Sequence, residues 1–317
     1  MSENLLEINN LAVTLNASRG IIRAVRNVNL AVKPGEIHGL VGESGSGKSV
    51  TARSILRLND EAVSLYDGSI SFEGNDVMSL KRKEILALRR HKISMIFQDP
   101  VTSLDPLQRV GNQVAEKLRL AGTPKNEIQS KTQSLIESVG ISPAAERMYQ
   151  YPFQMSGGML QRINIAMALA GNPKLLVADE PTTALDVTVQ MQILRLLKKL
   201  QKDFGMTIII ITHNFGVVAE ICDTVSVMYK GVIVEQGDAE SLFEHPSHTY
   251  TKGLMAAIPK SGPEQELPSP MNGNLVDPLD SKISIPVPGL DYVRTPVMKS
   301  LSPTHSCAEE ISTVEEQ

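Results

Sequence analysis

Gly42-Glu43-Ser44-Gly45-Ser46-Gly47-Lys48-Ser49 follows the apolar run Ile37 to Val41 and opens a helical stretch that reads from Lys48 to Leu58. The segment fits G-x-x-x-x-G-K-[ST] at every position, and a strand before it with a helix after it is the setting in which that motif grips phosphate. Glycines let successive backbone N–H groups curl around phosphate oxygens, and the helix N-terminus adds a favourable dipole. Lys48 is expected to neutralise the β and γ phosphates and the Ser49 hydroxyl to ligate magnesium. The eight residues from Gly42 to Ser49, namely Gly42, Glu43, Ser44, Gly45, Ser46, Gly47, Lys48 and Ser49, are thus the predicted grip on a nucleoside triphosphate.

Before this loop, Leu6 to Leu15 and Ile21 to Val32 alternate apolar and polar residues, which predicts antiparallel strands in a small sheet beside the nucleotide. Gly68 to Phe72 reads as a strand, Leu80 to Arg90 as a basic amphipathic helix and Ile93 to Phe97 as a buried strand ending at Gln98. From Asp99 to Ala170 the pattern is helical, with helices expected at Gln108 to Leu120, Lys125 to Val139 and Gly158 to Ala170. Apolar strands return at Leu175 to Asp179 and Thr207 to Thr212, on either side of a helix from about Thr188 to Asp203. Continuous apolar strands flanked by helices predict a parallel sheet covered on both faces. Strands at Asp223 to Tyr229 and Val232 to Gln236 then lead to short helices near Asp238 to Glu244 and Thr249 to Ile258.

Composition narrows the function. The 317 residues suffice for one large domain with appendages, and a net charge of −4 disfavours a nucleic-acid-binding surface, which carries a basic excess. No apolar stretch approaches the roughly 20 residues that span a bilayer. The start, Met1-Ser2-Glu3-Asn4, lacks the basic and apolar regions of a signal peptide, so the expectation is a folded chain in the cytoplasm. Cys222 and Cys307 suggest neither a disulfide framework nor a metal site, and Cys222 reads as a small core residue. His245 and His248, with no further ligands nearby in sequence, read as surface residues. Beyond Pro259 the chain is rich in proline and ends in glutamates, so residues 259–317 read as an extended, partly disordered C-terminal extension with no part in nucleotide chemistry.

Acidic residues supply the remaining chemistry. Asp179 ends an apolar strand and Glu180 follows it, which puts both carboxylates at the C-terminal edge of a parallel sheet, where ligands bind. Asp179 is expected in the magnesium shell, and Glu180 is expected to orient and deprotonate the water that attacks the γ-phosphate. His213 closes the next apolar strand and is placed to hydrogen-bond a γ-phosphate oxygen. Gln98 ends a third strand where the helical segment begins, within reach of magnesium or the attacking water. A second anion-gripping loop, Ser156-Gly157-Gly158, can cap a helix with the Ser156 hydroxyl and present bare N–H groups. Two such loops in one chain point to an ATPase whose nucleotide is shared between two protein surfaces.

Gln98, Ser156-Gly157-Gly158-Met159-Leu160-Gln161-Arg162, Asp179-Glu180, Ala184-Leu185-Asp186 and His213, in that order after the phosphate loop, resemble the nucleotide-binding subunit of an ATP-binding cassette (ABC) transporter over about Leu6 to Ile258. The resemblance implies an α/β fold with a RecA-like P-loop NTPase core, an antiparallel β subdomain and a helical signature subdomain at about 99–171, within a cassette of residues 1–258. It implies ATP and magnesium as ligands. It also implies a head-to-tail pair of cassettes, with a paralogue or with itself, in which Ser156, Gly157, Gly158 and Asp186 meet the nucleotide of the partner. Hydrolysis then loosens the sandwich, and the motion passes through the Gln98 region, including Leu104 and Arg109, to a membrane partner.

Phe97 to Pro106, Glu180 to Thr188 and His245 to Thr251 narrow the resemblance to the oligopeptide, dipeptide and nickel importer branch. That branch implies two transmembrane permease subunits, an extracytoplasmic solute-binding protein, no nucleic acid, and a peripheral position at the cytoplasmic face of the inner or plasma membrane. The alternative class is a soluble cassette ATPase acting on nucleic acid or the ribosome; the coiled-coil insertion, zinc module or second cassette usual there is not seen in this sequence. Departures from the family pattern are Met155 and Met159 around the signature, Leu15 where an aromatic stacks on adenine, and Asn214 in place of Asp after His213. The cysteine cluster common after peptide-importer cassettes is also missing, so no iron–sulfur site is expected.

Overall fold

A computed structural model of the chain describes residues 3–17, 20–183, 185–256, 284–287, 290–294 and 297–309. In chain order the first elements are β1 (Leu6–Ala17), β2 (Gly20–Val32), β3 (Ile37–Val41), α1 (Lys48–Ile55), β4 (Ser64–Phe72) and β5 (Asn75–Asp76). Then come α2 (Arg82–His91), β6 (Ile93–Ile96), α3 (Val110–Leu120), α4 (Ile128–Ser138), α5 (Ala144–Arg147) and α6 (Gly157–Leu169). The rest are β7 (Leu175–Asp179), α7 (Val187–Phe204), β8 (Thr207–Thr212), α8 (Phe215–Ile221), β9 (Thr224–Tyr229), β10 (Val232–Asp238), α9 (Ala239–Glu244) and α10 (Thr249–Ala256), followed by β11 (Ser284–Val287), β12 (Leu290–Arg294), β13 (Met298–Ser302) and β14 (His305–Ala308). The chain divides into two compact units, one of Met1–Lys33, His38–Ser79 and Thr212–Gln317, the other of Pro34–Ile37 and Leu80–Ile211.

In the first unit, β2, β1, β4 and β5 lie side by side as an antiparallel sheet. Leu6, Ile8, Leu11 and Val13 of β1 are buried, while Asn9, Asn10 and Asn16 are exposed or partly so, the alternation expected of a sheet with one wet face. A shift of register opposite Asn9 and Ala12 lets β4 run on past Gly68 to Ser64, further than the sequence indicated. Elsewhere in this unit β3 pairs parallel with β9, His38 opposite Thr224 and Val41 opposite Val227. Antiparallel β10 follows β9, and β14 takes the other edge of β10 with β13 beside it. Val41, Val218, Val225, Val227, Val234, Leu242, Tyr250 and Ala308 share one buried core.

In the second unit β6, β7 and β8 run parallel, Ile96 opposite Ala178 and Asp179 opposite Ile211. Ile93, Leu175 to Ala178 and Ile208 to Ile211 are all buried to within 1% exposure, as strands covered on both faces require. Between β6 and β7 the described residues form helices and turns only. Helix α7 begins where the carboxylate of Asp186 accepts from the amide of Val189 at 2.9 Å, and it stops at Gly205, whose φ of 61° ends the helical run. Ile193, Leu194, Leu197 and Leu200 give it one buried stripe.

Helix α8 was not evident in the sequence; it starts at Asn214, whose side chain accepts from the amide of Gly216 at 2.9 Å, and buries Val217, Val218 and Ile221. The Asn that departs from the family pattern is thus a serviceable helix cap.

Candidate functional site

The phosphate loop belongs to the first unit. Two of its glycines are demanded by the backbone. A Cβ on Gly42, at φ 151°, would lie 2.0 Å from the carbonyl oxygen of Met228, and one on Gly47, at φ 104°, would lie 2.4 Å from that of Ala24. The amide of Gly231 donates to the carbonyl of Ser46 at 2.9 Å, so the turn between β9 and β10 braces the loop. Lys48 opens α1 and is only 4% exposed. Its ammonium donates to the carbonyls of Gly42 at 2.8 Å and Glu43 at 2.6 Å, and to Oγ of Ser46 at 3.2 Å. The lysine is therefore held along the inside of the loop, while Glu43, Ser44 and Gly45 are exposed and Ser49 is half-buried in the first helical turn.

The carboxylates belong to the second unit. Asp179 is 1% exposed at the end of β7, and Glu180 turns away from the strand with φ 47°. A left-handed backbone on a non-glycine residue costs on the order of 1–3 kcal/mol and persists where its surroundings enforce it. The enforcing contacts are visible. The Glu180 amide donates to the carbonyl of Ile211 at 2.9 Å, and Oε2 accepts from Nε2 of Gln98 and from Oγ1 of Thr183, each at 2.8 Å. Gln98, Asp179 and Glu180 are thus brought to one edge of β6 and β7, as the strand ends predict.

Thr183 is a site residue that sequence reasoning passed over. The signal was present, since a hydroxyl three residues after an acid in a turn commonly reaches back to it. His213 directly follows β8 and is exposed. Ser156 caps α6, its Oγ accepting from the amide of Met159 at 3.4 Å. A Cβ on Gly158 would lie 2.6 Å from Cγ1 of Val189 in α7, so the signature loop packs tightly on the helix that Asp186 caps. Ala184 lies outside the described residues.

One expectation needs correction. His248 is not a surface residue; it is 7% exposed, and its Nδ1 accepts from the amide of Tyr250 at 3.1 Å, whereas His245 is exposed. Among the described residues no group of three or more His, Cys, Asp or Glu side chains is placed to hold a metal ion. Leu104, in the segment expected to carry motion to the membrane, is 4% exposed and packs inward. The apolar residues presented by that region are Val101, Leu107, Tyr149 and Phe153, exposed by 51% or more, and the Arg109 guanidinium stacks over Tyr149 and Tyr151 at 5.8 and 5.9 Å.

In the second unit Asp179 ends a buried strand with a carboxylate, and in the first unit Ser49 carries a hydroxyl in the first turn of α1; each is a hard oxygen donor of the type that suits magnesium. No helix among the described residues is long and apolar enough to cross a membrane.

Known proteins place these features in one family. The ABC transporter family matches residues 25–183, half of the chain, and the oligopeptide/dipeptide transporter C-terminal region matches residues 234–283. The oligopeptide transport ATP-binding protein OppD of Bacillus subtilis is 48% identical over 83% of this chain and 75% of its own length. The dipeptide transport ATP-binding protein DppD of Lactococcus lactis is 40% identical over 96% of this chain and 89% of its own. Among solved structures, a dimeric ATP-binding cassette in a post-hydrolysis state, bound to ADP and Pi, superposes with a TM-score of 0.65 at 29% identity, covering 74% of this chain and 98% of that one. With its phosphate loop, strand-end carboxylates and helix-capping signature loop in a P-loop NTPase fold, the chain belongs to the ABC transporter ATP-binding proteins, in their oligopeptide and dipeptide branch.

Proposed function

We propose that the chain hydrolyses ATP to power uptake of peptides or a similar small solute, with Glu180 as the general base. Gly42 to Ser49 hold the phosphates, Lys48 compensating their charge. Ser49, Gln98 and Asp179 are the residues that would hold magnesium, which when bound neutralises charge on the phosphate oxygens. Glu180 accepts the proton of a water whose oxygen attacks the γ-phosphorus, as the bond to the bridging oxygen breaks and ADP leaves. His213 hydrogen-bonds a γ-phosphate oxygen. Ser156, Gly157, Gly158 and Asp186 meet the nucleotide held by a second cassette, identical or paralogous.

The observation that carries this reading is the doubly anchored carboxylate of Glu180, aimed by Gln98 and Thr183 from a backbone conformation that its neighbours enforce. A carboxylate that merely ended a strand would need neither the strained φ nor two side-chain donors. The transport names of its relatives support the peptide assignment. Two permease subunits, an extracytoplasmic solute-binding protein and a station at the cytoplasmic face of the membrane belong to the same reading and rest on the family resemblance. The test is uptake of a radiolabelled oligopeptide by vesicles holding the chain with its permeases and binding protein. ATP-dependent accumulation is expected, and ATP hydrolysis that the peptide and binding protein leave unchanged, with no accumulation, would contradict it.

A further inference from the structure

Tyr250 is the largest fully buried side chain among the described residues, yet it ends in a polar atom placed on the phosphate loop. Its hydroxyl accepts from the amide of Glu43 at 2.8 Å. Glu43 is the second residue of the loop, so this amide stands at the point where the chain leaves β3 and begins to curl. The ring is fixed by Tyr229, whose centroid is 4.3 Å away, and by the core it shares with Val227, Val234 and Ala308. Burial pushes the phenol's pKa upward, so the hydroxyl stays protonated at neutral pH.

The start of α10, which carries Tyr250, is itself held by a buried acid. Glu235 in β10 is 0% exposed, and its carboxylate accepts from the amides of Ser247 at 2.8 Å and His248 at 3.1 Å. Nδ1 of His248 then takes the amide of Tyr250, completing the cap of the helix. The same carboxylate faces the C-terminal hairpin. Nε2 of His305 in β14 donates to Oε1 of Glu235 at 2.8 Å, with His305 only 5% exposed. Beside it, Oγ1 of Thr304 donates to Oδ2 of Asp238 at 2.6 Å, and β14 pairs with β10 at Glu235 and Gln236. An isolated buried carboxylate is costly, and here its partners are two amides and an imidazole, the last supplied by a segment some seventy residues away in sequence.

We infer that Tyr250 is a positioning residue for nucleotide binding, which sets the entry of the phosphate loop through Glu43, and that the C-terminal hairpin acts on the loop by holding Tyr250 through His305 and Glu235. The inference rests on the reading that Gly42 to Ser49 bind ATP. It gives the tail a route to the nucleotide that the sequence does not display. A loop anchored at Glu43 presents its amides already arranged for phosphate; without the anchor, ordering the loop is charged against binding.

The test is steady-state ATPase kinetics of the full chain in its assembled transporter, with Tyr250→Phe, His305→Ala, His305→Gln and the Tyr250→Phe/His305→Ala pair. Tyr250→Phe keeps the ring and removes only the hydroxyl, so KM for ATP should rise about three- to tenfold, the range for one hydrogen bond, while kcat stays within about twofold. His305→Ala should raise KM in the same direction, and His305→Gln, which retains a donor, should restore it. In the Tyr250→Phe background His305→Ala should add nothing, because both act through one hydroxyl. Parental KM in Tyr250→Phe, or losses that multiply in the double variant, would overturn the inference. Lys48→Ala separates the two levels. If it too keeps parental KM, the loop is not the ATP site; if it alone is defective, only the role of Tyr250 fails.

Discussion

Nε2 of Gln98 donates to Oε2 of Glu180 at 2.8 Å, and the register of two parallel strands places the pair opposite one another. Ile96 lies opposite Ala178, so the residues two positions further along each strand meet just beyond the sheet edge. Gln98 also begins the segment that leads to α3, which means that a displacement of that segment acts directly on the carboxylate proposed as the base.

Replacing Thr183 should loosen the aim of Glu180 without touching the phosphate grip, whereas replacing Gln98 also removes a proposed magnesium contact. Thr183→Val is expected to lower kcat about three- to tenfold, the worth of one hydrogen bond, and to leave the Kd for ATP within about twofold, and Gln98→Ala to lower kcat at least as much with a weaker Kd for ATP in magnesium. Single-turnover hydrolysis alongside equilibrium binding of a fluorescent ATP analogue separates the two quantities. An unchanged kcat in both variants would show that the anchoring contacts do not matter to the reaction.

Lys48→Ala removes a buried ammonium aimed along the phosphate loop. Hydrogen bonds from a charged donor are worth roughly 1.5–3 kcal/mol, so ATP binding should weaken by about ten- to a hundredfold. Equilibrium titration with the same analogue reads this directly, and parental affinity would remove the loop from the site.

Stability should fall in mild acid because of His38. The imidazole is buried with Nδ1 2.8 Å from Oγ1 of Thr224, and burial pushes its pKa from 6.5 down to about 4. The unfolded chain therefore takes up a proton near pH 6.5 that the folded chain refuses until about pH 4, so this contribution is intact above 6.5 and drains away as pH falls through the window. At pH 5 the loss is about 2 kcal/mol. Urea unfolding at pH 7.5 and pH 5 should show His38→Asn to be less pH-sensitive by about that amount. Equal slopes for parent and variant would mean that His38 is charged when folded or is not the titrating group.

Coupling to permeases is expected to use the exposed face of the segment from Asp99 to Arg109. Leu107, 86% exposed, stands on the segment between Gln98 and α3. Leu107→Ser should cut ATP-driven uptake in vesicles severalfold, while the Kd for ATP and the urea midpoint of the chain stay at parental values. Uptake at the parental level would move the coupling surface elsewhere.

Much of this was legible in the sequence because its signals are local. The phosphate loop is a contiguous motif, and Asp179, Glu180 and Gln98 could be placed from the ends of apolar runs, since continuous burial marks a parallel strand and its end marks the ligand edge. What stayed hidden depends on contacts distant in sequence. Nothing near His305 reveals that it meets Glu235, and the burial of His248 follows from that same acid. Helix α8 was overlooked because its seven residues are too few to display a period, and its cap is an Asn that reads as readily as a turn.

Glu180→Gln probes the proposed base with least disturbance, because the amide keeps the shape of the side chain and loses its basicity. Removing a general base typically costs about 10² to 10⁴ in rate, whereas Lys48 and the loop amides still bind ATP. ATP turnover by the assembled transporter should therefore collapse while ATP remains bound, with the variant accumulating as an ATP-held pair of cassettes visible by size-exclusion chromatography. Hydrolysis at the parental rate, with no such accumulation, would contradict the assignment and leave the partner cassette to supply the turnover.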